Sequence, residues 1–70
     1  MKRYDVDSKM LSSLSYDSSS GTLEVEFPNG TTYQYSGVPK SVFEGALNSG
    51  SVGSAFHGQI RNKFVGRKVR

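Results

Sequence analysis

His57 is the one side chain in this sequence that ordinarily titrates near neutrality, and it stands among twelve serines, any of which would need such a base to act as a nucleophile. No serine sits in the G-x-S-x-G turn that exposes a nucleophile. Glu24 and Glu26, two apart on a strand, would lie about 7 Å from each other on one face, which superficially suits paired-carboxylate hydrolysis. Two glutamates on an open strand face are ordinary solvation, however, and 70 residues leave little room for an enclosing pocket. One histidine, six scattered acids and no cysteine make no zinc-ligand spacing, and neither nucleotide-binding glycine fingerprint occurs. The expectation is a chain without catalytic residues, metal or cofactor, with His57 on a helix surface.

Phosphate recognition is the chemistry that the residue types favour more. Residues 1–35 carry three basic and five acidic side chains, whereas residues 36–70 carry six basic and one acidic, so the halves balance at −2 and +5. From His57 onward Arg61, Lys63, Arg67, Lys68 and Arg70 meet no acid in the sequence. Just before them, Gly50-Ser51-Val52-Gly53 is a G-x-x-G between two predicted helices, the spacing by which some RNA-binding domains clamp a backbone. Ser51 and Gly53 would then offer free N–H groups to an anion at a helix start. The simpler account is a glycine ending one helix, a serine capping the next, and a solvated basic face running into a frayed tail. Tyr33 and Tyr35, two apart on a strand, have the spacing of a base-stacking platform or, more simply, of a core row.

The elements that position these residues must form one small domain spanning 1–70. Leu, Ile, Val and Phe number sixteen, enough for a thin core that no disulfide can reinforce, so marginal stability or self-association is expected. Residues 1–9 read as coil. Leu11, Leu14 and Tyr16 belong to a first strand ended by the Asp17–Gly21 turn. Leu23, Val25 and Phe27 alternate with Thr22, Glu24 and Glu26 in a second, and Thr31–Ser36 alternates again in a third. Between them, Pro28 cannot donate to a paired position, so a three-residue loop is predicted, with Gly30 as the left-handed bulge residue. That loop sets Val25 opposite Tyr33 and Leu23 opposite Tyr35, placing both tyrosines on the apolar side, near Phe43 and Phe56. Glu24, Glu26, Thr32 and Gln34 fall on the wet side.

After Gly37 the period changes. Val42, Phe43, Ala46 and Leu47 form the stripe of a helix, with Pro39 near its start, Ser41-x-x-Glu44 as a capping box and Gly50 at its end. Ser51 caps a second helix with Val52, Ala55, Phe56 and Ile60 on one side, which Gly53 and Gly58 weaken. Residues 62–70, with Phe64, Val65 and Val69 among basic residues, read as a basic tail with three open fates: extending the helix, docking as a short segment or fraying. The fold class is α+β: a three-stranded antiparallel meander followed by two short helices packed on one face.

In this order, Leu14-Ser-Tyr16-Asp17, Leu23–Phe27 before Asn29-Gly30, Tyr33-Gln34-Tyr35, Gly37-Val38-Pro39 and Ser51-Val-Gly53 followed by Phe56 and Ile60-Arg61 resemble the KTSC family. Its signature is the Y-x-Y element. The family is known as a short domain at the C-terminus of some lysyl-tRNA synthetases and as free-standing bacterial proteins, and through that attachment the resemblance implies an RNA-contacting accessory domain. Two functions follow as expectations. One is a non-enzymatic RNA- or nucleic-acid-binding module using Ser51, Gly53, His57, Arg61, Lys63, Arg67 and Lys68; the other is a protein-interaction or dimerisation module with an acidic partner or a second copy. No apolar run is long enough to span a membrane, and the cysteine-free sequence suits the cytoplasm. If Tyr35 belongs to the core, Tyr35→Ala costs about 3 kcal/mol of stability, measured by urea unfolding.

Overall fold

The computed structural model describes residues 2–70. Its sheet is an antiparallel meander of five strands in sequential order: β1 (Lys2–Asp5), β2 (Ser13–Asp17), β3 (Thr22–Glu26), β4 (Thr32–Tyr35) and β5 (Gly66–Lys68). Helix α1 (Lys40–Leu47) and helix α2 (Val52–Phe56), which runs on as a π-helical turn through His57–Arg61, lie between β4 and β5 in the chain. The core buries Leu11, Leu14, Leu23, Val25, Tyr35 and Val38 from the sheet side against Phe43, Ala46, Phe56 and Ile60 from the helices.

The three predicted strands are β2, β3 and β4, and the hairpin between the last two has the predicted register, Val25 opposite Tyr33 and Leu23 opposite Tyr35. Its loop closes through Phe27 N–H to Thr31 O at 2.8 Å and Gly30 N–H to Phe27 O at 2.9 Å, with Gly30 at φ 88°. The Asn29 side chain adds a bond by accepting the Thr31 N–H at 3.0 Å.

The sheet has five strands rather than three. Residues 2–5, expected as coil, pair with β2, and residues 66–68, from the tail whose fate was open, dock as a strand on β4; residue 1 lies outside the described residues. Both added strands are edges: β5 is held mainly by backbone pairing, and β1 adds one aromatic anchor to its pairing, Tyr4, which packs against the core. Basic side chains on both outer strands, Lys2 and Arg3 on one and Arg67 and Lys68 on the other, discourage further strand addition.

Two cross-strand rows summarise the apolar face: Tyr4, Leu14, Val25, Tyr33, Lys68, and Lys2, Tyr16, Leu23, Tyr35, Gly66. The second explains Gly66. A Cβ there would lie 2.4 Å from Tyr35 Cε2, so only a residue without a side chain lets the Tyr35 ring lie across the last strand. Phe43 departs from the expected packing: it stacks on Tyr16 at 4.7 Å and leans on Tyr4 at 5.7 Å, while Phe56 alone of the pair reaches Tyr35, edge-on at 5.4 Å.

Local corrections have equally physical causes. Pro39, not Ser41, is the N-cap of α1; its fixed φ suits an extended entry, so Ser41 and Glu44 lie inside the helix and make no capping box. The helix ends at Asn48, before Gly50. Ser51 does occupy the N-cap of α2, without a side-chain capping bond. Thr32, expected wet, is buried because the C-terminal segment crosses it, with Thr32 N–H donating to Arg70 O at 3.0 Å and Val69 N–H to Thr32 O at 2.8 Å.

Two glycines of opposite role test this packing. Gly66→Ala should cost about 1–3 kcal/mol, as overpacking of a fitted contact does. Gly45→Ala, on the exposed side of α1 with nothing near its Cβ, should stabilise by up to about 1 kcal/mol through helix propensity. Urea midpoints of the two variants should therefore move in opposite directions.

Candidate nucleic-acid interface

Where β4 runs under the end of α2, the two tyrosines diverge in role. Tyr35 is buried, whereas Tyr33 is half-buried, and both line a hollow of about 390 Å³ together with Met10, Phe27, Asn29, His57 and Arg61. Aromatic groups dominate its wall. Phe27 meets Tyr33 edge-on at 5.7 Å, and the rings of Tyr33 and Tyr35 lie 6.4 Å apart and within 25° of parallel, as strand alternation requires of residues two apart. A flat conjugated ligand entering here finds ring faces and edges to stack against.

The polar side of the hollow comes from the π-helical turn. Its wider winding and the glycine at 58 interrupt the α-helix where His57 and Arg61 emerge, four residues apart. Arg61 Nη1 lies 3.2 Å from His57 Nδ1. A guanidinium only donates, so His57 accepts at Nδ1 and carries its proton on Nε2. Burial first, and the neighbouring Arg61 charge second, hold the imidazole below its ordinary value of 6.5. Burial also pushes the Tyr35 phenol up, partly opposed by Arg61, so that this hydroxyl stays protonated.

The remaining predicted binding residues do not all gather here. Lys68 stands opposite Tyr33 on the same face of the sheet, and Lys63 is exposed in the turn that follows the π-helical segment. Arg67 pairs with Gln34 and so belongs to the opposite face. Ser51 lines a different hollow, of about 290 Å³, whose other walls include Asp5 and Asp7; an anion there would meet carboxylates. Gly53 is a packing residue, because a Cβ on it would come within 2.7 Å of Ser8 Oγ and 2.9 Å of Met10 Cβ, where the N-terminal segment crosses α2. Met10, Phe27 and Asn29 escaped the sequence reading as site residues, although the turn signal at Asn29-Gly30 could have pointed to a loop at the edge of the tyrosine row.

The open face of the sheet is laced with opposite charges. Glu24 accepts from Arg70 at 2.7 Å and from Gln34 at 3.1 Å, and Glu26 accepts from Arg3 and from Ser13, each at 3.3 Å. The two glutamates thus tie both chain ends to the central strands rather than merely facing water. Asp17 has its own local partners: the hydroxyl and then the backbone N–H of Ser19 hold its carboxyl below the usual range. Among the described residues no group of three or more His, Cys, Asp or Glu is placed to hold a metal ion.

The His57 environment yields a pH dependence. The folded chain binds the imidazole proton more weakly than the unfolded chain, so the associated stability is complete above about pH 6.5 and is lost as pH falls from there through the lower folded value. An NMR titration should place His57 below 6.5. Arg61→Ala should raise that value without restoring it fully, since burial is the larger cause.

Comparison with known proteins matches this architecture to others. The sequence model of the KTSC domain family fits residues 7–64. A protein of Stutzerimonas stutzeri described as uncharacterized is 42% identical over 57 residues, which span 81% of this chain and 80% of that one. A lysine–tRNA ligase of Nostoc punctiforme is 36% identical over 58 residues and one of Trichormus variabilis 43% identical over 49, but the matched segments make up only 10% and 9% of those enzymes. The crystal structure of a KTSC domain protein from Yersinia pestis superposes with a TM-score of 0.92 at 36% identity, covering 99% of this chain and 97% of that one. The chain belongs to the KTSC domain family.

Proposed function

We propose that this KTSC domain is a non-enzymatic accessory module that contacts single-stranded RNA through the hollow beside Tyr33. The observation that carries the reading is the meeting of three aromatic residues, Phe27, Tyr33 and Tyr35, with Arg61 and His57 in one opening. Bases stack on aromatic faces whatever their sequence, and an arginine at the rim meets the adjoining phosphate. Lys68, opposite Tyr33 on the same sheet face, adds positive charge beside the ring, and the reading assigns the exposed Lys63, two residues after Arg61, to a further phosphate. Relatives among lysine–tRNA ligases, proteins named for an RNA substrate, lend the reading further support. A cytoplasmic setting is part of the proposal: the chain has no cysteine, and among the described residues no helix is long and apolar enough to cross a membrane.

The alternative, a protein-interaction or dimerisation module, has less behind it. The open sheet face satisfies its acids internally, and the edge strands carry basic residues that disfavour pairing with another strand.

Titrating a labelled single-stranded RNA octamer against salt tests the proposal. With about three phosphates neutralised, by Arg61, Lys63 and Lys68, log affinity should fall against log salt with a slope near −2, and Arg61→Ala or Lys68→Ala should each flatten it by about 0.7. Tyr33→Leu should weaken binding by about 1–3 kcal/mol at nearly constant slope. Arg67→Ala, on the far face, should change neither. Absence of binding at low salt would overturn the reading.

A further inference from the structure

The polar lining of the hollow is one-sided. Asn29 Oδ1 is turned to the Thr31 N–H, which it accepts at 3.0 Å, and its Nδ2 amide has no hydrogen-bond partner among the described residues. His57 Nδ1 is occupied by Arg61 at 3.2 Å, leaving the Nε2–H. Arg61 itself offers only donors, and the two tyrosine hydroxyls can turn either way. Every side chain here with a fixed preference therefore presents N–H groups, and a ligand bringing its own N–H₂ would set donor against donor in a partly desolvated site. Asn29 and Arg61 are exposed, so the penalty is confined to donors that the stacked base itself covers, and the discrimination is that of one contact.

Nucleic-acid bases divide on this point. Uracil presents a carbonyl acceptor where cytosine presents an amino donor, and guanine and adenine each carry an amino group as well. Resting on the RNA-binding reading above, we infer that the hollow selects uracil, the keto pyrimidine, over cytosine, the amino one. In this arrangement the base stacks on the half-exposed Tyr33 ring, its carbonyl accepts from Asn29 Nδ2 with His57 Nε2–H as a further donor beside it, and Arg61 holds the neighbouring phosphate. Arg61 has a second task, since its hydrogen bond at Nδ1 fixes which ring nitrogen of His57 donates.

The discriminating pair is an octamer of uridine against one of cytidine, equal in length, ring size and charge, measured by anisotropy at one low salt concentration and pH 7.5. The uridine strand should bind about tenfold more tightly, the size expected of one well-placed specific contact. Asn29→Asp keeps an oxygen for the Thr31 N–H and replaces the amide donor with an acceptor, so it should reverse the ratio in favour of cytidine even as the added charge weakens both strands. Asn29→Ser, whose hydroxyl can still accept within the turn, should bring the ratio toward one, and the amide NMR spectrum reports whether each variant keeps the fold. Equal binding of the two strands by the wild type, with Tyr33→Leu weakening both, would overturn keto selection while leaving the RNA reading intact. An unchanged ratio in Asn29→Asp would also overturn it. Failure of both strands to bind at low salt would overturn the RNA reading and the selection together.

Discussion

The backbone hydrogen bond from Phe27 N–H to Thr31 O, with Gly30 folded back on Phe27 at φ 88°, sets the register from which the rest of the structure follows. Side chains on a strand alternate between faces, so a slip of one residue in this hairpin would carry Tyr33 and Tyr35 to the solvent side and bring Thr32 and Gln34 to the helices. With the register as it is, Tyr35 reaches both Phe56 of α2 and the bare Cα of Gly66. One ring thereby joins the central hairpin, the second helix and the last strand. In a chain this short, with a thin core and no covalent cross-link, such shared contacts replace bulk burial.

The hairpin was legible because its information is local. Pro28, Asn29 and Gly30 each have a restricted backbone preference, and together they suit one loop type. The outer strands were not legible for the opposite reason. Lys2–Asp5 and Gly66–Lys68 carry little apolar patterning, and they become strands because β2 and β4 offer unpaired backbone groups at the sheet edges. Gly66 alone reads as a flexible residue in a tail; its purpose appears only when the Tyr35 ring is laid over it. The capping box at Ser41 failed in a related way, since Pro39, two residues earlier, already determines how the chain enters the helix.

Charge was legible in amount and misleading in place. The sequence concentrates cations after His57, but strand alternation sends Arg67 to the face opposite Lys68, and Arg70 is drawn to Glu24. The acids that seemed merely solvated thus gather arginines from both ends of the chain, Arg3 and Arg70, and leave the open face mixed in sign. Ser51 and Gly53, which share a motif with each other, belong instead to the crossing of the N-terminal segment over α2. Proximity in sequence to the basic run did not become proximity in space.

What remains on the helix side is smaller and more specific than a basic patch. The Y-x-Y element divides its labour: Tyr35 is spent on packing, whereas Tyr33, one row further toward the hairpin loop, keeps part of its ring uncovered beside Phe27. The π-helical turn then supplies a donor pair at the same opening, because a continuous α-helix from Val52 would rotate the residues after Phe56 to different positions relative to the sheet. The irregular backbone, the half-exposed aromatic ring and the orienting Arg61–His57 contact coincide at one place, and it is on that coincidence, rather than on the basic run, that the RNA-binding proposal rests.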